Sequence, residues 1–254
     1  MRAAVVVLAA GCAFQPGLTG SAGGGGGSDA ARIRGDAPAD ADSLTLGLIA
    51  WYRMESIAGS EAIDSTGNGH TGTCTSCPTV VTAHIGNGFS FDGTTRIDVL
   101  DGTDFETASG FSVAAWVKYA AGPSGYGCPA GKTYGTANLN SWQLCWTQVP
   151  AQWSFYSVHD ETGTFDTLAD TPAPTVGGWY HTVMTWDGAT KEFWVDGVSG
   201  GTMAASIIWD NARMTLGADY DYGGQSSVFQ GVMDDVRIYS RVLTHAEIAR
   251  LASQ

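Results

Sequence analysis

The sequence contains few basic residues and no cluster of them. Lys and Arg number 12 against 25 Asp and Glu, which gives a formal net charge of −13. Proteins that bind nucleic acid or an anionic membrane surface through charge carry basic patches, so neither is expected as a partner. An acidic surface is typical both of simple solubility and of extracellular calcium-binding domains, and composition does not separate the two.

Motifs of the common catalytic sites are also absent. The five His residues are scattered, without His-x-x-x-His or His-Glu-x-x-His spacing and without a nearby Ser or Cys in a triad-like context. The pentaglycine run precedes no strand–helix unit and no Lys-Ser/Thr, so it is not a phosphate loop. These absences argue against the best-known hydrolase and nucleotide-binding sites.

No hydrophobic run is long enough to span a bilayer. An apolar run at residues 3–10 follows Arg2 and ends at Gly11-Cys12, which suits a signal-peptide core. We therefore predict that residues 1–12 form a signal peptide with a lipobox-like end, in which Cys12 is lipidated and anchors the chain to a membrane. Ala9 stands where a lipobox usually has a large aliphatic residue, so an ordinary cleaved signal is the alternative. The expected location is a bacterial outer membrane or cell surface, or otherwise the secreted fraction.

The next segment has the composition of a tether. Residues 13–43 contain GSAGGGGGS and GDAPADADS, with few aliphatic side chains. Such a composition buries too little apolar surface to offset the entropy of folding. We predict a disordered tether here and one folded domain over residues 44–254.

Four cysteines lie in the predicted domain. Cys74 and Cys77 form a C-x-x-C pair, and Cys128 and Cys145 follow. A redox pair would need a βαβ context, and a zinc site would normally have a second C-x-x-C. In an exported protein the pattern favours two structural disulfides, with three possible connectivities. We predict the two local ones, Cys74–Cys77 and Cys128–Cys145.

Short alternating strands, separated by Gly, Asn, Asp and Pro, follow from Leu44 onward. About ten to fourteen strands at this spacing predict an all-β sandwich. The segment GFSFDGTTRIDVL is expected to be a hairpin that turns at Asp92-Gly93. Two further turns are expected at Asp187-Gly188 and Asp196-Gly197.

One segment near the C-terminus changes period. In THAEIARLAS, Thr244 is followed three positions later by Glu247, which is the spacing of a capping box. We predict a short amphipathic helix there.

Several blocks together carry a family resemblance. SFDG, FSVAAWVK, WYHTVMTWDG, FWVDG and DDVRIYSRVLT occur in this order. Over about residues 44–252 the chain resembles a laminin-G-like domain of the concanavalin A-like jelly-roll superfamily. The resemblance implies two antiparallel sheets in a curved sandwich. It does not imply one function, because members bind sugars, proteins or cell surfaces, and some are accessory modules of enzymes.

Within that superfamily a glycoside hydrolase is the catalytic alternative. Retaining jelly-roll glucanases use a Glu-x-Asp-x-Glu strand, whereas the Glu residues here are isolated. We therefore expect a monomeric, non-catalytic module that binds a carbohydrate or another cell-surface ligand. A structural or protein-interaction domain without a sugar site is the alternative.

Aromatic residues in loop-like contexts are the candidate ligand-binding residues, since sugar rings stack on exposed aromatic faces. They are accompanied by one carboxylate that could accept hydroxyl hydrogen bonds. The set comprises Tyr126, Trp142, Tyr220, Asp221 and Tyr222.

A structural calcium ion is the predicted cofactor. In GVMDDVRIYS, a period of two places Asp234 on the same face as Val236, where a carboxylate needs a partner. The Gly-rich loop IDSTGNGH offers Asp64, Asn68 and the backbone carbonyl of His70 as oxygen ligands. The resemblance implies that the first and last strands are neighbours bridged by calcium, which would join these residues. The alternative is an Asp that loop amides satisfy without a metal.

Overall fold

The computed structural model describes residues 41–135, 139–158, 164–170 and 173–254. These residues belong to a unit that spans Asp36–Gln254. The expected signal peptide, Cys12 and almost all of the expected tether lie outside the described residues, so these assignments stay predictions.

Eighteen strands are present in the described residues, together with one 3₁₀ helix and one α-helix. The 3₁₀ helix is Ala41–Thr45 and α1 is His245–Leu251. The strands are β1 (Leu48–Tyr52), β2 (Glu61–Ala62), β3 (Gly72–Thr73), β4 (Thr79–Thr82), β5 (Asn87–Asp92), β6 (Ile97–Val99), β7 (Phe111–Tyr119), β8 (Tyr126–Tyr134), β9 (Leu139–Gln148), β10 (Ala151–Val158), β11 (Phe165–Asp170), β12 (Tyr180–Trp186), β13 (Thr190–Val195), β14 (Val198–Ala204), β15 (Met214–Leu216), β16 (Asp219–Asp221), β17 (Gly224–Ser226) and β18 (Gln230–Tyr239).

The strands form two large antiparallel sheets. Sheet A has the order β14-β13-β12-β7-β18-β5-β4, and β1 also pairs with β18. Sheet B has the order β11-β10-β9-β8-β15-β6-β3-β2, and β16 and β17 form a separate hairpin. The predicted all-β, two-sheet jelly-roll sandwich with a C-terminal helix is therefore confirmed.

The core lies between the two sheets and is built by alternation along the strands. In β7 and in the middle of β9 every second residue enters the main core cluster, and these residues are Phe111, Val113, Ala115, Val117, Tyr119, Trp142, Leu144 and Trp146. The residues between them point to the outer faces because side chains alternate along a strand. Each sheet thus has one face in the core and one outer face.

Helix α1 covers part of the outer face of sheet A. Ile248 and Leu251 of the helix pack with Ala114, Val183 and Tyr239 of the sheet in a second apolar cluster. The predicted capping box is confirmed: the hydroxyl at the N-cap accepts a hydrogen bond from the backbone at the third helical position, and the carboxylate there accepts one back. Among the described helices, none has the length and apolar character needed to cross a membrane.

Two of the three turns predicted at Asp-Gly pairs are confirmed, and the third is wrong. Asp187-Gly188 joins β12 to β13, and Asp196-Gly197 joins β13 to β14, as predicted. Asp196 and Gly197 both have positive φ, the combination that a two-residue type I′ hairpin requires. The hairpin predicted at Asp92-Gly93 is wrong, because β5 belongs to sheet A and β6 to sheet B. Asp92 instead accepts hydrogen bonds from the next loop residues, which turns the chain between the sheets.

Both predicted disulfides are present. Cys74–Cys77 closes a short loop after β3, and Cys128–Cys145 joins β8 to β9 across the ladder. Such bonds favour an oxidising compartment.

The face predicted for Asp234 is wrong. Met233, Val236 and Ile238 are the residues of β18 in the main core, so Asp234 points to the outer face of sheet A. The parity changes because the ladder with β7 slips between Asp234 and Arg237, and Asp235 there has a φ of 49°. An extra residue in one strand, a β-bulge, shifts every later side chain by one face.

Candidate functional site

The outer face of sheet B carries a cleft over β9 and β10. Gln143 lies between the core residues Trp142 and Leu144, so its side chain points away from the core. Its partner across the ladder is Tyr156, which follows the core residue Phe155 and also points outward. A buried amide and a tyrosine therefore stand side by side on the outer face.

Aromatic and acidic side chains flank this floor. The rings of Tyr126 and Tyr156 meet edge to face, with 5.9 Å between their centroids. The β16–β17 hairpin contributes Asp219 and Asp221 to the lining, and Ser227, which follows the hairpin, also lines the cleft. The cleft is open to solvent and has a volume of about 160 Å³. It combines an aromatic wall, an amide floor and an acidic wall.

Hydrogen bonds hold the acidic wall in place and leave other polar atoms without partners. The Asn140 amide nitrogen donates to Asp219 Oδ2 at 3.0 Å, and the Ser226 hydroxyl donates to Asp221 Oδ2. Asn140 Oδ1, Gln143 Nε2 and Asp221 Oδ1 are buried and have no protein partner. Buried polar groups in proteins are nearly always hydrogen-bonded, so these atoms are suited to a ligand or ordered water.

Burial raises the pKa of two cleft residues, Asp221 and Tyr156. Burial raises the pKa of Asp221 to about 6; the hydrogen bond from Ser226 opposes this and the neighbouring Asp219 adds to it. Burial likewise raises the pKa of Tyr156 to about 12, so its hydroxyl is neutral and can donate or accept a hydrogen bond.

The cleft includes two of the five predicted ligand-binding residues. Tyr126, with 52% of its surface exposed, and Asp221 line it. Trp142 does not lie in a loop but in β9, and it is buried in the core, so no ligand can reach its ring. Tyr220 contacts two guanidinium groups, each 4.5 Å from its ring centre, and Tyr222 is exposed; neither lines the cleft.

The sequence patterns did not indicate the other lining residues, among which Asn140, Gln143, Tyr156 and Asp219 carry the polar groups discussed above. Alternation within QWSFYSV would have placed Tyr156 opposite the core residues Trp153 and Phe155. The Asp-x-Asp spacing of β16 would likewise have placed both acids on one face. No sequence signal connects these segments with one another.

The family model described as the concanavalin A-like lectin/glucanases superfamily, a laminin-G-type model, matches residues 91–249. The chain belongs to this family. Comparison with curated protein sequences finds no significant match.

Solved structures share the fold of this laminin-G-like domain at low sequence identity. Domain 4 of AbnA, an extracellular arabinanase of Geobacillus stearothermophilus solved with arabinotriose, matches with a TM-score of 0.61 and 20% identity, over 81% of this chain and 98% of that one. The binding domain of Paraclostridial Mosquitocidal Protein 1 matches at 0.64 and 12%, over 81% and 52%. Trypanosoma rangeli sialidase matches at 0.63 and 17%, over 81% and 32%.

The predicted calcium ligands of the Gly-rich loop are engaged by protein groups. Asp64 accepts hydrogen bonds from the backbone of Trp51, Thr66 and His70 and from the Thr66 hydroxyl. Burial alone would raise the pKa of Asp64, but these hydrogen bonds outweigh it and lower the pKa. The Asn68 amide donates to the Ile49 carbonyl, and the His70 carbonyl accepts from the Tyr52 hydroxyl.

Asp234, unlike Asp64, has only one of its two carboxylate oxygens hydrogen-bonded to the protein. Its Oδ2 accepts from the Ile85 backbone at 2.7 Å, whereas its Oδ1 is buried without a protein partner. The adjacent Asp235 is the carboxylate that pairs with Arg237, at 2.9 Å. Within the described ranges, no group of three or more His, Cys, Asp or Glu side chains could hold a metal ion. The binding of a structural calcium ion by this laminin-G-like domain stays a prediction.

Proposed function

We propose that this domain is a non-catalytic module of an exported protein and that it binds carbohydrate in the cleft over β9 and β10. The observation that carries the proposal is the tyrosine pair beside three buried polar atoms without protein partners. Sugars offer apolar ring faces for aromatic stacking and hydroxyl groups for hydrogen bonds, and the cleft provides partners for both.

The comparisons support the proposal at the level of fold. The arabinanase domain 4 was solved with a bound trisaccharide, and this chain covers nearly all of that domain. The match identifies no sugar for the present chain, since 20% identity conserves a fold rather than a site. The disulfides support the exported location.

The shape beyond the cleft supports a ligand longer than one sugar. A second hollow of about 410 Å³ adjoins the cleft and shares Tyr126 and Ser227 with it. Tyr126 therefore lines two adjoining spaces. An oligosaccharide could pass over Tyr126 and occupy each space with one unit.

Glycan-array screening followed by calorimetric titration tests the proposal. We expect Tyr126→Ala to weaken binding about tenfold or more, because it removes one stacking face and the edge contact with Tyr156. Tyr222→Ala is the matched control, since that tyrosine is exposed but lies outside the cleft. It is expected to bind like the wild type.

Two outcomes would replace the proposal. If no glycan binds at high protein concentration, the alternative of a protein-interaction domain without a sugar site is favoured. If purified protein releases reducing sugars from a bound glycan, and Asp219→Asn and Asp221→Asn abolish the release, the cleft is a glycosidase site. Two neighbouring carboxyl groups, one with a raised pKa, are the groups such a reaction uses.

A further inference from the structure

We propose that the cleft selects glycans that carry a free, protonated amine, held by the carboxylates of Asp219 and Asp221. This inference rests on the proposed function and specifies the ligand class. It would make the domain a receptor for amino sugars rather than for neutral or acidic ones.

Charge is the first argument. The cleft lining contains two carboxylates, whereas no Lys or Arg is among its described residues. The whole chain is acidic, with a net charge of −13. An anionic sugar would therefore meet repulsion both on approach and in the site, and a cation would meet attraction. Partial burial of Asp219 and Asp221 strengthens either effect, because water screens the interaction less.

The hydrogen-bonding capacity of the cleft is the second argument. Asn140 is 93% buried, since its exposed fraction is 7%, and its Oδ1 has no partner. Its amide nitrogen is committed to Asp219, which leaves the oxygen as the free end of the group. Asp221 Oδ1 is a second buried acceptor without a partner in the described lining. Two buried oxygens therefore lack a donor, and an ammonium group supplies three donors and no acceptor.

The aromatic wall is the third argument. Tyr126 and Tyr156 line the same cleft as Asp219 and Asp221, and the face of an aromatic ring attracts a cation. An amine on a sugar ring bound in this cleft would therefore have aromatic rings and carboxylates in the same lining. A neutral hydroxyl in the same place gains less from both.

Binding of matched oligosaccharides tests the inference. The probes are glucosamine and galactosamine oligomers, their N-acetylated forms, and the corresponding oligomers with a hydroxyl in place of the amine. We expect the amine forms to bind at least about tenfold more tightly, in line with a charge-assisted hydrogen bond. The preference should shrink as sodium chloride is raised, because salt screens the attraction.

Substitutions test whether the acidic residues cause the preference for amine-bearing glycans. Asp221→Asn removes one charge without changing the shape of the side chain, and we expect it to reduce the preference while hydroxyl forms bind as before. The double variant Asp219→Asn/Asp221→Asn should abolish the preference. Glu61→Gln is the matched control, because Glu61 is exposed on β2 at the opposite edge of sheet B. It should retain the preference.

The failure of the inference is distinguishable from the failure of the proposed function. Equal binding of amine and hydroxyl forms, or binding of neutral or acidic sugars only, would overturn the inference and leave carbohydrate binding intact. A preference that persists when Asp219 and Asp221 are both replaced by Asn would place the amine elsewhere and overturn it as well. Absence of binding to every probe would overturn both.

Discussion

Replacing Asp234 by Asn is expected to remove a pH-dependent loss of stability. Asp234 is fully buried on the outer face of sheet A, and one of its two oxygens has no partner. Burial raises the pKa of Asp234 to about 7, against the opposing hydrogen bond from the Ile85 backbone; the neighbouring Asp235 and Glu55 charges contribute smaller increases. The folded protein therefore holds the Asp234 proton more tightly than the unfolded chain does.

The sign and size of the effect follow from that difference. Between the ordinary pKa of 3.8 and the folded value of about 7, the folded state binds more protons, so stability falls as the pH rises. The contribution is fully present below pH 4 and is lost as the pH rises through 7. At about 1.4 kcal/mol per pKa unit, the ionised carboxylate costs at most about 4 kcal/mol.

Urea unfolding from pH 4 to pH 9, followed by tryptophan fluorescence, measures this cost. Asn keeps an acceptor for the Ile85 backbone and carries no charge at any pH. We expect wild type and Asp234→Asn to have similar free energies of unfolding at pH 4. At pH 9 the variant should be more stable by up to about 4 kcal/mol.

Two results would refute this reasoning or refine it. A constant difference between wild type and Asp234→Asn across the whole pH range would mean that Asp234 does not titrate as its burial requires. Added calcium provides the second comparison: an ion bound at Asp234 would remove the high-pH loss in the wild type and leave the variant unchanged. A melting temperature indifferent to both calcium and chelator would mean that no calcium binds at Asp234.

Three further measurements test other parts of the structure. Replacing Cys128 and Cys145 by Ser should lower the free energy of unfolding by about 3 kcal/mol, from the chain entropy of a 17-residue separation; an unchanged urea midpoint would contradict this. Burial alone would raise the pKa of Glu247, but hydrogen bonds from Arg241 and the N-cap outweigh it and lower the pKa to about 2. Arg241→Met should therefore cost about 2 to 3 kcal/mol at pH 7, and the cost should shrink as the pH falls from 4.5 toward 2; a pH-independent cost would refute the pairing. In calorimetry, affinity should increase from one to several sugar units in the wild type and stay flat in Tyr126→Ala, and equal gains in both would remove Tyr126 from the path of the ligand.

Local features of the chain could be predicted because local forces determine them. The turn at Asp196-Gly197 follows from the backbone conformations that Gly and Asp tolerate, and the capping box at Thr244 follows from a hydrogen-bonding pattern within four residues. The Cys74–Cys77 bridge is local for the same reason. Blocks such as FSVAAWVK identify strands by their alternation and the family by their order.

The arrangement of the candidate site could not be predicted in this way. The side-chain face of Asp234 depends on a bulge that forms only when β18 pairs with β7, and Asp92 turns the chain between two sheets rather than within one. The cleft brings together Gln143, Tyr156 and Asp219, which lie in three separate segments.

The sequence by itself therefore determined the class of fold, the last helix and the turns with Asp-Gly signals inside one sheet. It limited the four cysteines to three possible pairings, of which the two local bridges are present. Each of these depends on residues close in the chain or on the alternation of apolar and polar residues, which can be recognised without knowing which strands pair. The tertiary structure alone decided which outer face is covered by α1 and which carries the cleft. It also decided that Trp142 is a core residue and that Tyr156 is a cleft residue, because strand register and sheet order assign each side chain its neighbours.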